Sequence, residues 1–161
     1  MIDTNVQTLG ENGRRDKFRQ RDLPVAYLMV RVTMGLHMIA HGAVRLPILS
    51  QFAADTTKNF AGVNLLGLPL FPDWLVSIIC YVIPPVEFLI GILLTVGFKT
   101  RLASIVGNIL MLILMFGTVA QKNFSVAHLM WFYVVIFAAL GALNFVDRYS
   151  LDAMKKYPPK D

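Results

Sequence analysis

Apolar residues in this chain gather into four long blocks separated by short polar passages, over about residues 23–46, 74–98, 102–120 and 124–146. About 20 predominantly apolar residues are enough for a helix to cross the hydrocarbon core of a bilayer, so each block predicts a span. No water is available there to satisfy backbone N–H and C=O groups, and the spans are therefore expected to be helices. The pattern predicts an all-α integral membrane protein, an antiparallel four-helix bundle. The short turns at 99–101 and 121–123 make spans two and three, and spans three and four, neighbours.

The interruptions refine this picture. Pro24 suits a first helical turn, where its missing N–H has no partner to lose, and Pro47 is expected to close the first span. Residues 47–73 place Asp55, Lys58, Asn59 and Asn64 between small apolar clusters. That mixture predicts a short amphipathic helix near Ile48–Ala61, between spans one and two in the chain, lying at the membrane interface. Gly67 to Trp74 is rich in turn residues and ends in a tryptophan suited to the membrane surface. Pro84 and Pro85 fall inside the second span, where they remove backbone hydrogen bonds and are expected to kink it. Outside a membrane domain over 23–154, residues 1–22 read as a polar basic arm and 155–161 as a basic tail.

Composition agrees: 56% of the 161 residues are apolar and the mean hydropathy is +0.59. The net charge of +5 carries no aromatic interleaving or nucleic-acid motif, so no nucleic-acid partner is expected and the charge is read as topology. Five basic residues lie in the arm, two at Lys99 and Arg101, and four in Arg148, Lys155, Lys156 and Lys160, against Lys58 and Lys122 on the other side. By the positive-inside rule both termini are cytoplasmic, in a multi-pass protein of the cytoplasmic (inner) membrane. The arm lacks the apolar core of a signal peptide, so the first span is expected to remain uncleaved. A single cysteine, Cys80, excludes an internal disulfide or a multi-cysteine metal site within the chain.

Polar groups inside the spans are the candidate chemistry, because they are costly there and usually face a bundle interior or a wet cavity. At roughly 100° per residue, Arg31, His37, His41 and Arg45 share an arc of roughly 120° on the first span. Counting about 1.5 Å per residue from the cytoplasmic end puts Arg31 and Asn108 at roughly 10 Å, Glu87 at about 15 Å and His37 at about 20 Å. His41 and His128 follow in the outer third, with Arg45 and Gln121 near the outer rim. The four spans thus offer a graded polar column. Arg31 and Asn108 are expected to form its structural polar core, with Arg31 paired to Glu87. His37 and His41 are read as lining a polar cavity. Two alternatives stay open: a metal, which would need His128 or Glu87 as a third ligand, and haem b held between His41 and His128 on facing helices. Arg45 either holds an anionic or carbonyl-bearing ligand or snorkels to headgroups.

Several short motifs occur in order. They are Arg31 with His41-Gly-x-x-Arg-Leu-Pro47, then Pro85-x-Glu-x-x-Ile-Gly-x-Leu-Leu-x-x-Gly97-x-x-Thr-Arg101, then Phe116-Gly-Thr118 with Gln121, and finally Tyr149-Ser-Leu-Asp152. Together they resemble the DoxX/DoxD family of four-helix membrane proteins, closest to the DoxD-like branch named after the small subunit of a thiosulfate:quinone oxidoreductase. The segment Asn144 to Tyr149 departs from the family's glycine-rich ending. The resemblance implies a membrane subunit of a quinone-linked oxidoreductase, with quinone as cofactor and a redox partner subunit, since the chain has no redox-cofactor motif of its own. On that reading Glu87 and His37 relay protons as the catalytic pair, while His41, Arg45, His128 and Gln121 bind quinone or a small anion. The competing expectations are a non-enzymatic membrane scaffold or accessory subunit of a redox complex, and a small-solute transporter, which four helices without an inverted repeat would form only as a homo-oligomer.

Overall fold

The computed structural model describes residues 21–65, 68–69 and 71–156. The arm over residues 1–20 and the end of the tail, 157–161, lie outside them. Helix α1, Leu23–Arg45, begins with Pro24 in its first turn and ends on a basic residue that suits the negative end of the helix dipole. Pro47 does not stop the chain. It sits in a 3₁₀ turn, Leu46–Ile48, that leads directly into α2, Leu49–Ala61. As expected of an amphipathic element, α2 exposes Asp55 and Lys58 and turns Ala53 inward against Val76 and Cys80, flanked by Phe52, Phe60 and Phe71. A two-residue antiparallel ladder, β1 (Asn64–Leu65) with β2 (Leu68–Pro69), reverses the chain.

Helix α3, Asp73–Val96, runs without a break through Pro84 and Pro85. It ends at Gly97, whose φ of 77° is the left-handed conformation that a helix C-terminus uses most readily with glycine. Helices α4, Thr100–Ala120, and α5, Phe124–Ala142, follow with turns as short as expected. The fourth span ends earlier than its apolar block: a 3₁₀ turn, Asn144–Val146, and a short helix α6, Leu151–Lys156, close the described chain. Among the described residues four helices are long and apolar enough to cross a membrane, and the protein is an all-α, multi-pass membrane protein. Met29, Leu36, Val44, Leu129, Phe132 and Val135 point outward from the bundle, as lipid-facing side chains must.

The bundle is built from two tight helix pairs. Between α1 and α3 the backbones nearly touch, because a side-chain Cβ at Gly42 would lie 2.8 Å from the Pro84 carbonyl and one at Gly35 2.9 Å from the Gly91 carbonyl. Small residues at such a seam are what allow helices to pack closely without a hydrophobic drive. In the second pair, the Phe137 ring of α5 occupies the space above Gly107 of α4. Met38, Ile90, Leu94, Phe137 and Leu140 form the centre of the core.

At the end of the bundle where α1 begins and α6 lies, the terminal end, the pairs are tied together by polar contacts. Arg31 is almost fully buried and its Nη2 donates to the Tyr149 carbonyl at 3.0 Å, with Nε 3.9 Å from Asp147 Oδ2. The expected Arg31–Glu87 pair does not form. Gly97 lies directly against the Arg31 guanidinium, and Glu87 is ten residues earlier, back within α3, roughly 15 Å away along the axis at 1.5 Å per residue. The depth count fails because α1 starts well below the level at which α3 ends. Asp152 accepts from the backbone N–H of Lys99 at 3.0 Å and of Thr100 at 2.9 Å. It caps α4 from a distant part of the chain. The Tyr27 hydroxyl donates to the Leu140 carbonyl at 2.9 Å, tying α1 to α5.

Candidate functional site

The opposite, distal half of the bundle holds a cavity of 280 Å³ between the two helix pairs, bounded by all four spans and by α2. Its walls are mostly apolar, contributed by Met38, Ile79, Ile83, Met111, Leu114 and Met130. One wall is polar, where α1 presents His37, His41 and Arg45, α3 presents Glu87, and Gln121 stands at the end of α4.

The centre of that wall is a salt bridge. Arg45 Nη1 donates to Glu87 Oε1 at 2.9 Å and to Oε2 at 2.7 Å, with the Glu87 side chain 2% exposed and that of Arg45 27%. The glycine seam explains how they meet. Gly42 packs against Pro84 and Phe88, so the antiparallel helices are already in register one turn from each partner. Helical side chains lean toward the N-terminus of their own helix, which tilts Arg45 and Glu87 toward each other. A carboxylate this deep would be costly alone, and the guanidinium offsets its desolvation. Phe52 of α2 lies under the cation, 5.3 Å from ring centroid to guanidinium carbon. Glu87 engages a single guanidinium nitrogen, so Arg45, with five N–H donors in all, can also donate to a ligand.

The two histidines of α1 occupy the flank facing α5. The His37 ring stacks on Tyr133 at 5.0 Å with an interplanar angle of 18°, and lies 4.4 Å from His41. Over the cavity, Phe71 stands edge-on to Phe60 at 5.5 Å and to Phe116 at 6.0 Å, joining α2 to α4. Cys80 is buried and faces the same space.

His37, His41, Arg45, Glu87 and Gln121 therefore converge as the sequence pattern suggested, but three expected members do not join them. His128 is exposed and does not line the cavity, so it does not share a chamber with His41. Its turn of α5 presents Ala127 to the core instead. Asn108 lines a separate hollow between α4 and α5, beside Ser104 and Phe137. Arg31 belongs to the terminal tie. A single periodicity cannot distinguish which flank of a span meets a cavity when the span is apolar nearly all round, as α5 is. Tyr133, Phe52, Phe60 and Cys80 were absent from the sequence reading of the site. An aromatic or a lone cysteine in an apolar block carries no signal of its own, although the placement of Phe52, Thr56 and Phe60 on one face of the amphipathic helix pointed toward the bundle.

The same geometry locates the short motifs. Arg31, Gly97, Thr100 and the Tyr149–Asp152 run meet at the terminal tie, while His41, Arg45, Glu87, Phe116 and Gln121 surround the distal cavity. The DoxX family model matches residues 26–120, which take in the glycine seam, the salt bridge and most of the cavity wall. No curated protein and no solved structure matches the chain. With more than half of its length covered by that match, the chain belongs to the DoxX family.

Proposed function

We propose that the distal cavity binds a quinone head group and that the protein is the membrane subunit of a quinone-linked oxidoreductase, similar to the small subunit of a thiosulfate:quinone oxidoreductase. The observation that carries this reading is the mixed character of the cavity, mostly apolar walls with hydrogen-bonding groups on one side. Small-molecule sites are built that way, in volumes of about 300–1,000 Å³. At 280 Å³ the space suits a ring and the first part of its tail. Charge favours a quinone over a small anion, since the Arg45–Glu87 pair is neutral as a unit and leaves no net positive charge at the wall.

A bound quinone supplies two-electron, two-proton redox chemistry, with electrons delivered by a partner subunit. The chain's own part is positioning and proton handling. Arg45 and His41 donate hydrogen bonds to a carbonyl oxygen, and Gln121 offers a further donor at the end of α4. Glu87 and His37 hold and pass protons, with Tyr133 fixing the His37 ring by stacking. Phe52 covers the Arg45 guanidinium from α2. The distribution of lysine and arginine supports an orientation with the termini and the terminal tie on the cytoplasmic side and the cavity in the outer half of the bilayer.

Protein purified in mild detergent is expected to carry extractable quinone in near-stoichiometric amount. Arg45→Gln, which removes the cation, is expected to lower affinity for added decylubiquinone at least tenfold. Cys80 supplies the control, because a quinone in the cavity shields it from alkylation. A wild-type protein that yields no quinone, and whose Cys80 is alkylated at the same rate with and without decylubiquinone, overturns the assignment.

A further inference from the structure

Several ways into the cavity are covered. From the distal surface, the Phe60, Phe71 and Phe116 rings bridge α2 to α4, with the Phe60 ring against Gly117. On the α1 side, Phe52 covers Arg45. The glycine seam shuts the path between α1 and α3, where there is no room even for a Cβ. The seam of α1 against α5 is held at the terminal end by the Tyr27–Leu140 hydrogen bond and near mid-membrane by the His37–Tyr133 stack.

His41 lines the cavity and is also exposed on the outside of the bundle. Val126 and Met130 line the cavity from α5 and are only half-buried. On the helical wheel of α1, at roughly 100° per residue, His37 and His41 stand between the flank that meets the core and the flank of Leu36 and Val44 that meets lipid. A histidine at the boundary of a lipid-facing surface is expensive unless it borders an opening.

We infer that the cavity is entered sideways from the bilayer, through a slit between α1 and α5 whose rim is His41, Val126 and Met130 and whose inner gate is the His37–Tyr133 stack. The ligand class follows: a molecule dissolved in the membrane, with a hydrogen-bond-accepting head that reaches Arg45 and an apolar tail that stays in the slit. The inference rests on the quinone reading only for the name of the ligand. The route itself is read from the protein alone.

Cys80 is the sole cysteine of the chain and faces the cavity, so its alkylation reports the route without any introduced probe. The protein is reconstituted in phosphatidylcholine vesicles with reagent on both faces. An alkyl-chain maleimide partitioned into the bilayer is compared with a sulfonated, membrane-impermeant maleimide. The alkyl reagent is expected to modify Cys80, and the sulfonated reagent to leave it unmodified over the same period. Met130→Trp, which narrows the slit, is expected to slow the alkyl reaction about tenfold. Tyr133→Ala, which removes the gate, is expected to accelerate it by a similar factor, and Phe60→Ala in the roof to leave it within twofold. Modification by the sulfonated reagent at a comparable rate, control of the rate by Phe60 rather than by Met130 and Tyr133, or no modification by either reagent would overturn the lateral route. Because any co-purified quinone is extracted before reconstitution, a protein that shows the slit but no quinone protection refutes the quinone assignment alone. The converse result refutes the slit alone.

Discussion

Arg31 and Arg45 lie on one face of one helix, and their fates diverge because of what the neighbouring helices bring opposite them. Arg45 meets the Glu87 carboxylate, whereas Arg31 meets a helix end, a carbonyl and Asp147. Removing one partner of a buried pair leaves the other charge uncompensated, a loss of about 3–5 kcal/mol. Arg45→Ala is therefore expected to destabilise the protein by about that amount, and Arg45→Met with Glu87→Leu to recover most of it, measured by thermal unfolding in detergent. Double-mutant cycles separate the two arginines. Arg45 and Glu87 are expected to be strongly non-additive, while Arg31 and Glu87 add to within about 0.5 kcal/mol, as sites without a shared partner do. Coupling of Glu87 to Arg31 instead would contradict the arrangement described. The polar face was legible from helical periodicity. The choice of partner was not, because it depends on the axial offset between two helices that share no local sequence.

Among the elements, the α1–α3 seam decides whether the site exists. Gly35, Gly42 and Gly91 each sit where a Cβ would meet the facing backbone within 3.0 Å, and backbone cannot yield as a side-chain tip does. Gly42→Leu is expected to push the helices apart. The cost is that of overpacking, about 1–3 kcal/mol, together with loss of the Arg45–Glu87 contact. Its signature is that a following Glu87→Gln exchange costs much less than it does in the native background. An equal cost in both backgrounds would show that the salt bridge does not depend on the seam. The spans, the interfacial helix and the turns between spans were readable from apolar block length and amphipathicity. The effect of Pro47 was not, since a 3₁₀ turn absorbs it and carries the chain on into α2. Asp152 is a second case: its run was visible as a motif, but its role as the N-terminal cap of α4 appears only when residues 53 and 52 positions apart are brought together.

At the scale of the whole molecule the two ends have separate tasks. The terminal end is tied by Arg31, Asp147, Tyr149 and Asp152, and the distal end is hollow. The proposed orientation makes a direct expectation. In a Cys80→Ala background, a cysteine at Lys122 is expected to react with a membrane-impermeant maleimide added outside intact cells, and one at Arg101 only after the membrane is permeabilised. The reverse pattern would place the cavity in the cytoplasmic half and remove the outer-leaflet part of the proposal.

Local sequence was enough to set the solvent, the number of spans and the polar stripe of α1. These follow from block length, backbone hydrogen bonding and the 3.6-residue period, each of which is a local property. Only the tertiary structure decided that Arg45 rather than Arg31 pairs with Glu87, that His128 stays outside, and that α2 and its phenylalanines roof the cavity. Those outcomes depend on helix offset and on which flank of an almost uniformly apolar helix turns inward. That information resides in the contacts between helices, above all in the glycine seam that sets how α1 and α3 approach.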